Sequence, residues 1–408
     1  MSKMRLFAVI AAAALALTSC GGSSGPPTKG SGGTKSGNGA AATGFTPPKL
    51  TALEKLGTPE KQLNIVAWAG YAEDGSTDPK VDWVTPFEKA TGCQVNVKNG
   101  TTSDDMVALM KIGQYDVVSA SGDASLRMIA SGDVEPVNTD LVPNYADVFD
   151  ALKMKPWNSV NGVAYGIPHG RGANLLMYRT DKVSPPPTSW SVVFDKASPY
   201  KGFVTAYDSP IYIADAAVYL MSTRPDLKIK NPFALDDKQF AASVALLKQQ
   251  NTDIGEYWSD YTKEITAFKN GDSVVGTTWQ IIANLAQADK APVEAVLPSE
   301  GATGWSDTWM VATKSKHKTC AYKWMDWIIS PKVNAEVAEW FGEAPSNRKS
   351  CAETSDKNFC TTFHADDEAY FDQVWYWTTP ITQCLDGRTN VTCKDYGDWT
   401  TAWQEIKG

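Results

Sequence analysis

The chain has 408 residues, enough for two or three domains with substantial cores. Hydrophobic residues make up 43% of it and charged residues 21%, so most of the chain is globular and not disordered. With 46 acidic against 38 basic residues the net charge is −8, which excludes a general nucleic-acid binder and a polybasic membrane-surface protein.

The N-terminal residues form a targeting segment. Lys3 and Arg5 precede an apolar stretch over residues 6–17, which is too short to span the hydrocarbon core of a membrane as a helix. The stretch ends in LTSC at residues 17–20, which resembles the lipobox of bacterial lipoproteins. The resemblance implies that residues 1–19 are a signal peptide and that Cys20 is lipidated. The alternative is an ordinary secretory signal that contains a cysteine.

Residues 20–58 are predicted to be a flexible linker. The first part is rich in Gly, Ser and Thr and shows no apolar periodicity, so it cannot bury enough apolar surface to offset the entropy of ordering. The sequence therefore predicts a globular region outside the cytoplasm, tethered to the membrane through the lipid on Cys20.

The first part of the globular region alternates strands and helices. The predicted strands cover residues 63–68, 93–98 and 115–118, and the predicted helices cover residues 81–91, 103–112 and 124–131. Ser103 is the candidate N-cap of the second helix, with acidic residues in the first turn. This alternation predicts an α/β domain with a largely parallel sheet.

A second series of elements follows from residue 162. The predicted strands cover residues 162–168, 173–178, 202–206, 273–279, 293–297 and 308–313. The predicted helices cover residues 190–197, 213–223, 236–249, 281–290 and 319–330, and another begins at residue 331. Two consecutive α/β units without an internal repeat predict two lobes.

The cysteines favour disulfides. Six of the seven remain once Cys20 is set aside, and an even number outside the cytoplasm is typical of a disulfide framework. The favoured pairs are Cys351 with Cys360, Cys384 with Cys393, and, as the remaining long-range pair, Cys93 with Cys320. The alternative is free buried thiols. No Cys-x-x-Cys or His-x-x-x-His spacing occurs, so no metal site or other cofactor is predicted.

Short motifs follow one another along the globular region. They are NIVAWAGY at residues 64–71, PFEKATG at 86–92, YDVVS at 115–119, YGIP at 165–168, YKG at 200–202 after Trp190, and LPSEG at 297–301 followed by GWSD at 304–307. Their order and spacing over about residues 60–350 resemble the substrate-binding proteins of bacterial ABC importers, most of all the spermidine/putrescine-binding group. The resemblance implies an α/β, two-lobed periplasmic-binding-protein fold (type II) with a ligand cleft between the lobes.

The same resemblance implies an organisation and partners. Lobe 1 would comprise residues 59–167 with about 302–350, and lobe 2 residues 168–301 with about 351–408, the last part being a C-terminal elaboration. Hinges would lie near Pro168 and within residues 301–304. The protein would act as a monomer and not as an enzyme, and would pass its ligand to a membrane permease driven by an ATPase.

The site residues also come from the resemblance. In that family aromatic walls hold the aliphatic part of an amine and carboxylates bind its ammonium group, through cation–π attraction and charge-assisted hydrogen bonds. The matching positions here are Trp68, Tyr71, Ser121, Trp279, Trp305 and Asp307. Asp307 is then the carboxylate for the ammonium group. The alternatives are core packing for the aromatic residues and a turn or helix cap for Asp307.

The chain departs from the spermidine binders after the YKG motif. Of the acidic positions that follow in that group, Asp208 is retained, while Ser209 and Tyr212 occupy the others. Asp123 could replace one of the missing acids. We therefore expect Asp208 and Asp123 near the ligand, with fewer carboxylates for a second ammonium group.

Other ligands and another class of protein stay open. Arg171 stands among glycines near the first hinge, and its guanidinium suits a carboxylate, so with Asp307 it would fit a zwitterion such as an amino acid, γ-aminobutyrate or a betaine. The alternative is that Arg171 pairs with an acid of the protein itself. A sugar is a further possible ligand. A secreted hydrolase is disfavoured because no Gly-x-Ser-x-Gly motif or metal-binding helix occurs and the three histidines have no evident nucleophile partner.

Overall fold

A computed structural model describes residues 46–408. The predicted signal peptide, Cys20 and the linker up to residue 45 lie outside the described residues. Within residues 46–408, no helix is both long and apolar enough to cross a membrane.

The strands and helices of the described chain alternate through most of its length. The strands are β1 (Gln62–Ala67), β2 (Gln94–Asn99), β3 (Val117–Ala120), β4 (Ser159–Val160), β5 (Val163–Ala164), β6 (Ile167–Pro168), β7 (Gly170–Arg179), β8 (Val204–Tyr207), β9 (Ile254–Trp258), β10 (Val275–Trp279), β11 (Val293–Val296), β12 (Ala302–Trp305), β13 (Thr308–Val311), β14 (Ala344–Pro345) and β15 (Val374–Tyr376). The α-helices are α1 (Val84–Thr91), α2 (Ser103–Ile112), α3 (Gly122–Ser131), α4 (Ser191–Phe194), α5 (Ile213–Thr223), α6 (Asp237–Gln250), α7 (Tyr261–Asn270), α8 (Gln280–Ala288), α9 (Lys318–Ile328), α10 (Pro331–Phe341), α11 (Phe359–Thr362), α12 (Glu368–Phe371) and α13 (Tyr396–Lys407).

The first sheet has five strands in the order β2-β1-β3-β13-β6. β1 pairs in parallel with β2 and β3, while β13 runs antiparallel to both β3 and β6. Successive residues of β1 and β3 point to opposite faces: Ile65 and Val117 join the core beneath α1 and α9, and Val66 and Val118 join the core beneath α2 and α3. Both faces of the sheet are therefore covered by helices, as in other α/β units.

The second sheet has eight strands and is built on β7. Its main path is β15-β12-β7-β10-β8-β9, with β11 and β14 also pairing to β7. Leu176 packs with α5 and α6 on one face, and Met177 packs with Phe268 and Ala283 of α7 and α8 on the other. The structure thus has two α/β units, as the sequence predicts.

The chain passes between the two sheets near the predicted hinges. It leaves the first sheet at His169, between β6 and β7, and returns at Ser306 and Asp307, between β12 and β13. We expected residues 302–305 in lobe 1, at the start of the return crossing. Strand β12 (Ala302–Trp305) instead pairs within the second sheet, where Gly304 and Trp305 lie opposite Ala173 and Gly172. Part of the segment that we expected in lobe 2, from Phe359 to Phe371, packs instead in the core of the first sheet. The chain then joins the second sheet at β15.

The cysteine sulfurs lie at bonding distance in the three pairs that the sequence favours. They are Cys93 with Cys320, Cys351 with Cys360, and Cys384 with Cys393, with Cα atoms 5.8, 5.8 and 5.2 Å apart. The long-range pair joins the residue before β2 to α9.

Several local expectations differ from the structure. Thr102, not Ser103, caps α2, because its side chain accepts a hydrogen bond of 3.1 Å from the backbone of Asp105. The predicted linker is not free up to residue 58: Leu53 accepts a hydrogen bond from Asn138, and Gly57 donates one to Thr319. The elements β9, α7, β12, β15 and α13 were not predicted, although Tyr396, Trp399, Trp403 and Ile406 of α13 recur at helical spacing.

Candidate functional site

Two aromatic residues follow β1 at the carboxyl end of the first sheet. Trp68 is half-buried and Tyr71 fully buried, and the backbone of Tyr71 donates a hydrogen bond of 3.2 Å to the carbonyl of Trp68. Gly70 closes this turn at φ +99°, a conformation that side chains rarely adopt. The turn therefore directs both rings to the strand end, where α/β sheets bind ligands.

Helix α3 begins at the same edge of the sheet. Ser121 lies directly after β3 and is the N-cap residue of α3, buried together with Asp123 in the first turn. A side chain at Gly122 would overlap the backbone carbonyl of Trp377, so only glycine allows the C-terminal segment to pack on this helix start. A helix N-terminus favours negative charge beside it.

Asp307 lies on the return crossing and is 2% exposed. Ser121 donates a hydrogen bond of 2.5 Å to its Oδ1, and the Tyr71 hydroxyl donates one of 2.8 Å to its Oδ2. Burial raises the pKa of Asp307 to about 6, against the lowering effect of these two hydrogen bonds. The Trp68 indole N–H also lowers the pKa of Asp307, although Nε1 of Trp68 does not form a hydrogen bond of normal geometry.

A second carboxyl, that of Glu343, meets Tyr71 from the other side. Its Oε2 lies 3.2 Å from the Tyr71 hydroxyl, and its Oε1 lies 3.3 Å from Nε2 of His169. All three side chains are buried. Burial raises the pKa of Glu343 well above its usual range, and the charge of Asp307 adds to this, whereas burial lowers the pKa of His169 to about 3. His169 is therefore neutral near pH 7 and supplies no positive charge to the two acids.

Buried polar atoms without hydrogen-bond partners surround this cluster. They are Nε1 of Trp68, Nε1 of Trp305, Oγ of Ser306, Oε1 of Glu343 and Nε2 of His169. Buried polar groups in folded proteins are nearly always hydrogen-bonded. Nε2 of His169 and Oε1 of Glu343 face each other at 3.3 Å, so Nε1 of Trp305 and Oγ of Ser306 are the donors left open for a polar ligand.

Aromatic rings extend from this cluster across the second sheet. The ring of Tyr71 lies 4.5 Å from that of Phe341, and the series of neighbouring rings continues at centroid distances of 5.9, 6.1, 5.7 and 5.7 Å. Its members, in order, are Tyr71, Phe341, Trp305, Trp279, Tyr207 and Trp377, and we call this series the aromatic wall. Its last two rings are stacked with an interplanar angle of 13°.

A buried polar network fixes the far end of the aromatic wall. Trp279 donates a hydrogen bond of 2.9 Å from Nε1 to Asn174, which donates one of 2.6 Å to Thr303. Thr303 also accepts from Nε1 of Trp377 at 3.3 Å and donates to Asp215 at 3.0 Å. Burial raises the pKa of Asp215 to about 7. Because β7, β10, β12 and the segment after β15 all contribute, the wall is part of the sheet structure.

The chain matches the family model for bacterial extracellular solute-binding proteins over residues 82–366. This chain belongs to that family. Among relatives of this solute-binding protein, the spermidine/putrescine-binding periplasmic protein of Escherichia coli is 25% identical over 291 residues, covering 68% of this chain and 80% of the relative. The putrescine/cadaverine-binding protein of Pseudomonas aeruginosa is 24% identical over 322 residues, covering 73% of this chain and 83% of the relative.

A solved structure confirms the fold of this solute-binding protein. PotD from Streptococcus pneumoniae, a spermidine/putrescine ABC transporter substrate-binding protein, gives a TM-score of 0.65 at 17% identity and covers 85% of this chain and 97% of that chain. The expected α/β, two-lobed type II fold is therefore confirmed, with the Asp307 cluster at the crossing between the two units.

Most of the residues expected to bind a ligand in this solute-binding protein come together. Trp68, Tyr71, Ser121 and Asp307 meet around one carboxylate, and Trp305 and Trp279 continue from it as part of the aromatic wall. Asp123 lies beside them at the start of α3, where its Oδ1 accepts a hydrogen bond of 2.9 Å from Ser103. Burial raises the pKa of Asp123, partly offset by the charge of Arg127.

Two expected residues point elsewhere. The Arg171 guanidinium is bound by the protein itself: it pairs with Glu368 at 2.8 Å, donates to the carbonyl of Ala365 and stacks 3.8 Å from the Phe371 ring centroid. Asp208 pairs with Lys407 of α13 at 2.7 Å and accepts from Trp403. Both contacts use residues beyond position 351, which the sequence motifs do not cover.

Sequence reasoning missed four residues of the Asp307 cluster and the aromatic wall. They are Glu343, Phe341, Tyr207 and Trp377. Glu343 follows the last turn of a predicted helix, where a charged residue is expected to be exposed to solvent. Tyr207 is the neighbour of Asp208, which we expected at the site instead. His169 was noticed only as a candidate base without a nucleophile. The FGE sequence at residues 341–343, directly before the buried strand β14, is the one signal that could have marked Glu343.

Proposed function

We propose that this solute-binding protein captures a small cationic amine of the spermidine and putrescine class outside the cytoplasm and delivers it to the permease of an ABC importer. The proposal rests on the surroundings of Asp307. Asp307 is a buried carboxylate that no lysine or arginine contacts within residues 46–408, and its bonds come from neutral hydroxyl groups. An uncompensated buried charge is costly, so a bound ammonium group would offset the cost.

The aromatic wall suits the rest of such a ligand. Its rings present π faces for an ammonium group and apolar surface for a methylene chain, and cation–π attraction contributes about 0.5–2 kcal/mol. The E. coli and P. aeruginosa relatives are named for the binding of spermidine, putrescine and cadaverine, which supports a ligand of this class.

A two-lobed capture mechanism follows from the crossings. The lobes would open and close about His169 and about Ser306 and Asp307, with lobe 1 and lobe 2 as we expected them apart from β12 and residues 351–371. Hinge closure around a ligand is a common motion of two-domain binding proteins. Closure would bring the Asp307 cluster and the aromatic wall onto one solute, and no bond of the solute would be broken, so we expect no turnover.

The location of the protein is part of the proposal. A lipid on Cys20 would anchor the chain at the outer side of the membrane, and residues 21–45 would form the tether. The three cysteine pairs at bonding distance fit an oxidising compartment, where disulfides persist. We expect the folded region to be a monomer, with the permease and its ATPase as partners.

A zwitterion is the second candidate ligand. Nε1 of Trp305 and Oγ of Ser306 are open donors that a ligand carboxylate could accept from. The binding protein MotA of A. tumefaciens B6, solved with glucopine, shares the fold with a TM-score of 0.65 at 16% identity, covering 85% of this chain and all of that chain. Against this candidate, the Arg171 guanidinium that would bind the carboxylate is already paired with Glu368.

A thermal-shift panel tests the proposal. The secreted chain from residue 21 would be heated with putrescine, spermidine, cadaverine, γ-aminobutyrate, a betaine, choline, basic amino acids and sugars. A ligand that binds only the folded state stabilises it by about 2.7 kcal/mol at a hundredfold excess over Kd. Stabilisation by di- and triamines alone would support the proposal. Stabilisation by a zwitterion or a sugar, and none by amines, would contradict it.

A further inference from the structure

Glu343 occupies an unusual place for a carboxylate. It follows Gly342, which ends α10 in the left-handed conformation at φ +81°, and it precedes β14, which pairs with Gly170 and Arg171 of β7. A Cβ at Gly170 would overlap the Glu343 carboxyl, so the carboxyl packs directly on the backbone of β7. The side chain is 1% exposed. The fold therefore holds this carboxyl inside the crossing region and not at the surface.

The hydrogen bonds around Tyr71 show where a proton must be. Tyr71 has one hydroxyl hydrogen, which it donates to Asp307 at 2.8 Å. The contact of 3.2 Å between the Tyr71 oxygen and Oε2 of Glu343 then needs a hydrogen from Glu343. A protonated Glu343 donates to Tyr71, which donates to the Asp307 carboxylate. The pKa of Glu343, raised by burial and by the charge of Asp307, is consistent with this arrangement.

His169 does not change this assignment. Its Nδ1 accepts a hydrogen bond of 3.0 Å from the indole of Trp309, so its own hydrogen is on Nε2, facing Oε1 of Glu343 at 3.3 Å. The pKa of His169, lowered to about 3 by burial, keeps the ring neutral. The contact between Nε2 of His169 and Oε1 of Glu343 does not have hydrogen-bond geometry, so Oε1 of Glu343 can still accept a hydrogen bond from another donor.

The other charged groups around Glu343 are already paired or stacked. A small cavity beside it is lined by Arg171, His364 and Tyr370 among others. Arg171 pairs with Glu368, and His364 stacks on Tyr370 with ring centroids 3.7 Å apart. No lysine or arginine pairs with Glu343 in the part of the chain that the structure describes. An ionised Glu343 would therefore need the positive charge of a ligand.

We propose that Glu343 is a second carboxylate of the amine site, and that it releases its proton to the solvent when an ammonium group binds beside it and Asp307. The O–H bond of the Glu343 carboxyl breaks, the proton goes to a buffer base, and the resulting carboxylate accepts a hydrogen bond from the ammonium group. This inference rests on the proposed function and deepens it.

The pair of carboxylates also selects the kind of amine. Asp307 and Glu343 both gain by accepting hydrogen bonds, and a primary ammonium group has three N–H donors to give. A quaternary ammonium group has none, so it would gain the cation–π attraction of the aromatic wall without the hydrogen bonds. The site therefore favours amines with a primary end over quaternary amines such as choline.

Proton release upon binding is the direct test. Calorimetric titration of putrescine and spermidine, in two buffers of different ionisation enthalpy at about pH 7.5, gives the number of protons released per ligand bound. We expect about one for the native chain, because Asp307, with a pKa of about 6, is already ionised at that pH. Glu343→Gln should release close to none and bind at least about tenfold more weakly, since a charged hydrogen bond is lost.

The matched control is Glu264 of α7. It is another buried carboxyl whose pKa burial raises well above the usual range, and both its oxygens lack hydrogen-bond partners, but it packs in the second unit away from Tyr71. Glu264→Gln should keep the proton release and the affinity of the native chain. Choline should bind more weakly than putrescine to the native chain and release fewer protons.

A measurement on the native chain covers the case in which Glu343→Gln fails to fold. The logarithm of the affinity for putrescine should rise with a slope near one per pH unit around pH 7.5. Binding of amines without proton release and without this slope would overturn the role of Glu343 and leave the proposed function standing. Failure of every amine to bind the native chain would overturn the proposed function and this inference with it.

Discussion

The Ser121 hydroxyl lies 2.5 Å from Oδ1 of Asp307, although the two residues are 186 positions apart. Ser121 is the N-cap residue of α3 in the first unit, and Asp307 lies on the crossing that returns from the second. The proposed ammonium carboxylate is therefore held by lobe 1 while the aromatic wall belongs mostly to the second sheet. In the proposed function, closing the lobes would bring the charge and the rings onto one ligand.

Ser121→Ala should shift the pH dependence of amine binding. The Ser121 hydrogen bond favours the charged form of Asp307 and so lowers its pKa, which stands at about 6. Without that bond the pKa of Asp307 rises, and the fraction of charged Asp307 near pH 6 falls. In a plot of the logarithm of putrescine affinity against pH, the change of slope caused by Asp307 should move to higher pH, with affinity reduced at pH 6 and restored as the pH rises.

The control for Ser121→Ala is Ser125→Ala on the same helix. The Ser125 hydroxyl donates to the carbonyl of Trp157 and does not contact Asp307. Its loss should change the thermal stability and leave the change of slope caused by Asp307 at the same pH. A profile of Ser121→Ala that coincides with that of the native chain would mean that Asp307 does not bind the amine.

Asp307→Asn should weaken amine binding much more than Asp208→Asn. Loss of a charged hydrogen bond costs about 1.5–3 kcal/mol, or roughly tenfold to more than a hundredfold in Kd. Asp208 is paired with Lys407 instead, so its replacement should leave Kd within about threefold, as for a surface ion pair. Isothermal titration with putrescine measures both. Equal losses for the two variants would return Asp208 to the site.

Trp279→Ala should reduce amine affinity and Trp279→Phe should restore much of it. Trp279 stands in the aromatic wall between Trp305 and Tyr207, at ring distances of 6.1 and 5.7 Å. Loss of its π face should cost about 0.5–2 kcal/mol, and a phenyl ring retains part of that attraction. The measurement is Kd for spermidine and putrescine in both variants. Equal affinity of the alanine variant and the native chain would mean that Trp279 serves only the core.

The motifs of the first 310 residues predicted much of the site. The strand ends after β1 and β3 and the GWSD motif are local patterns, so Trp68, Tyr71, Ser121 and Asp307 could be placed near one another through the family resemblance. The helices α2 and α5 match the predicted ranges. The buried residues of α2 recur at helical spacing, whereas α5 is a long apolar stretch buried on all sides over residues 213–220, whose length favours a helix.

The errors trace to contacts made by the C-terminal region. Arg171 was expected to face a ligand, but Glu368 and Ala365 bind its guanidinium, and no local pattern connects positions nearly 200 residues apart. Asp208 likewise forms an ion pair with a C-terminal residue, Lys407, and not with a ligand. Glu343 was missed because its burial depends on the bare backbone of Gly170, which only the packing of β14 on β7 reveals.

Removing the Cys93–Cys320 pair should destabilise the protein more than removing Cys351–Cys360. The first closes a loop of 227 residues and the second a loop of 9. A cross-link limits the entropy of the unfolded chain more when the loop is longer, with typical contributions of about 2–5 kcal/mol. Urea unfolding of the two Cys→Ala double variants gives both free energies. A larger loss for the short loop would show that local contacts dominate.

The segment after β15 should stabilise the lobe arrangement of this structure, which we take as the closed one. Trp377 stacks on Tyr207 of the second sheet, and the backbone of Thr379 donates a hydrogen bond of 2.9 Å to Gly122 at the start of α3. The Thr379 hydroxyl adds bonds of 2.9 and 2.8 Å to the carbonyls of Gly122 and Asp123. This segment therefore joins the two units beside the site.

Thr379→Val removes the hydroxyl bonds and keeps β15 and the stacked rings. The closed state should lose about 0.5–1.5 kcal/mol relative to the open state, which lowers amine affinity by up to about tenfold. Small-angle scattering should show a larger radius of gyration for the ligand-free variant, returning to the native value with saturating putrescine. Thr266→Val on the exposed face of α7, whose hydroxyl bonds only within its own helix at 2.8 Å, should change neither quantity. An unchanged radius and affinity for Thr379→Val would show that the segment does not control closure.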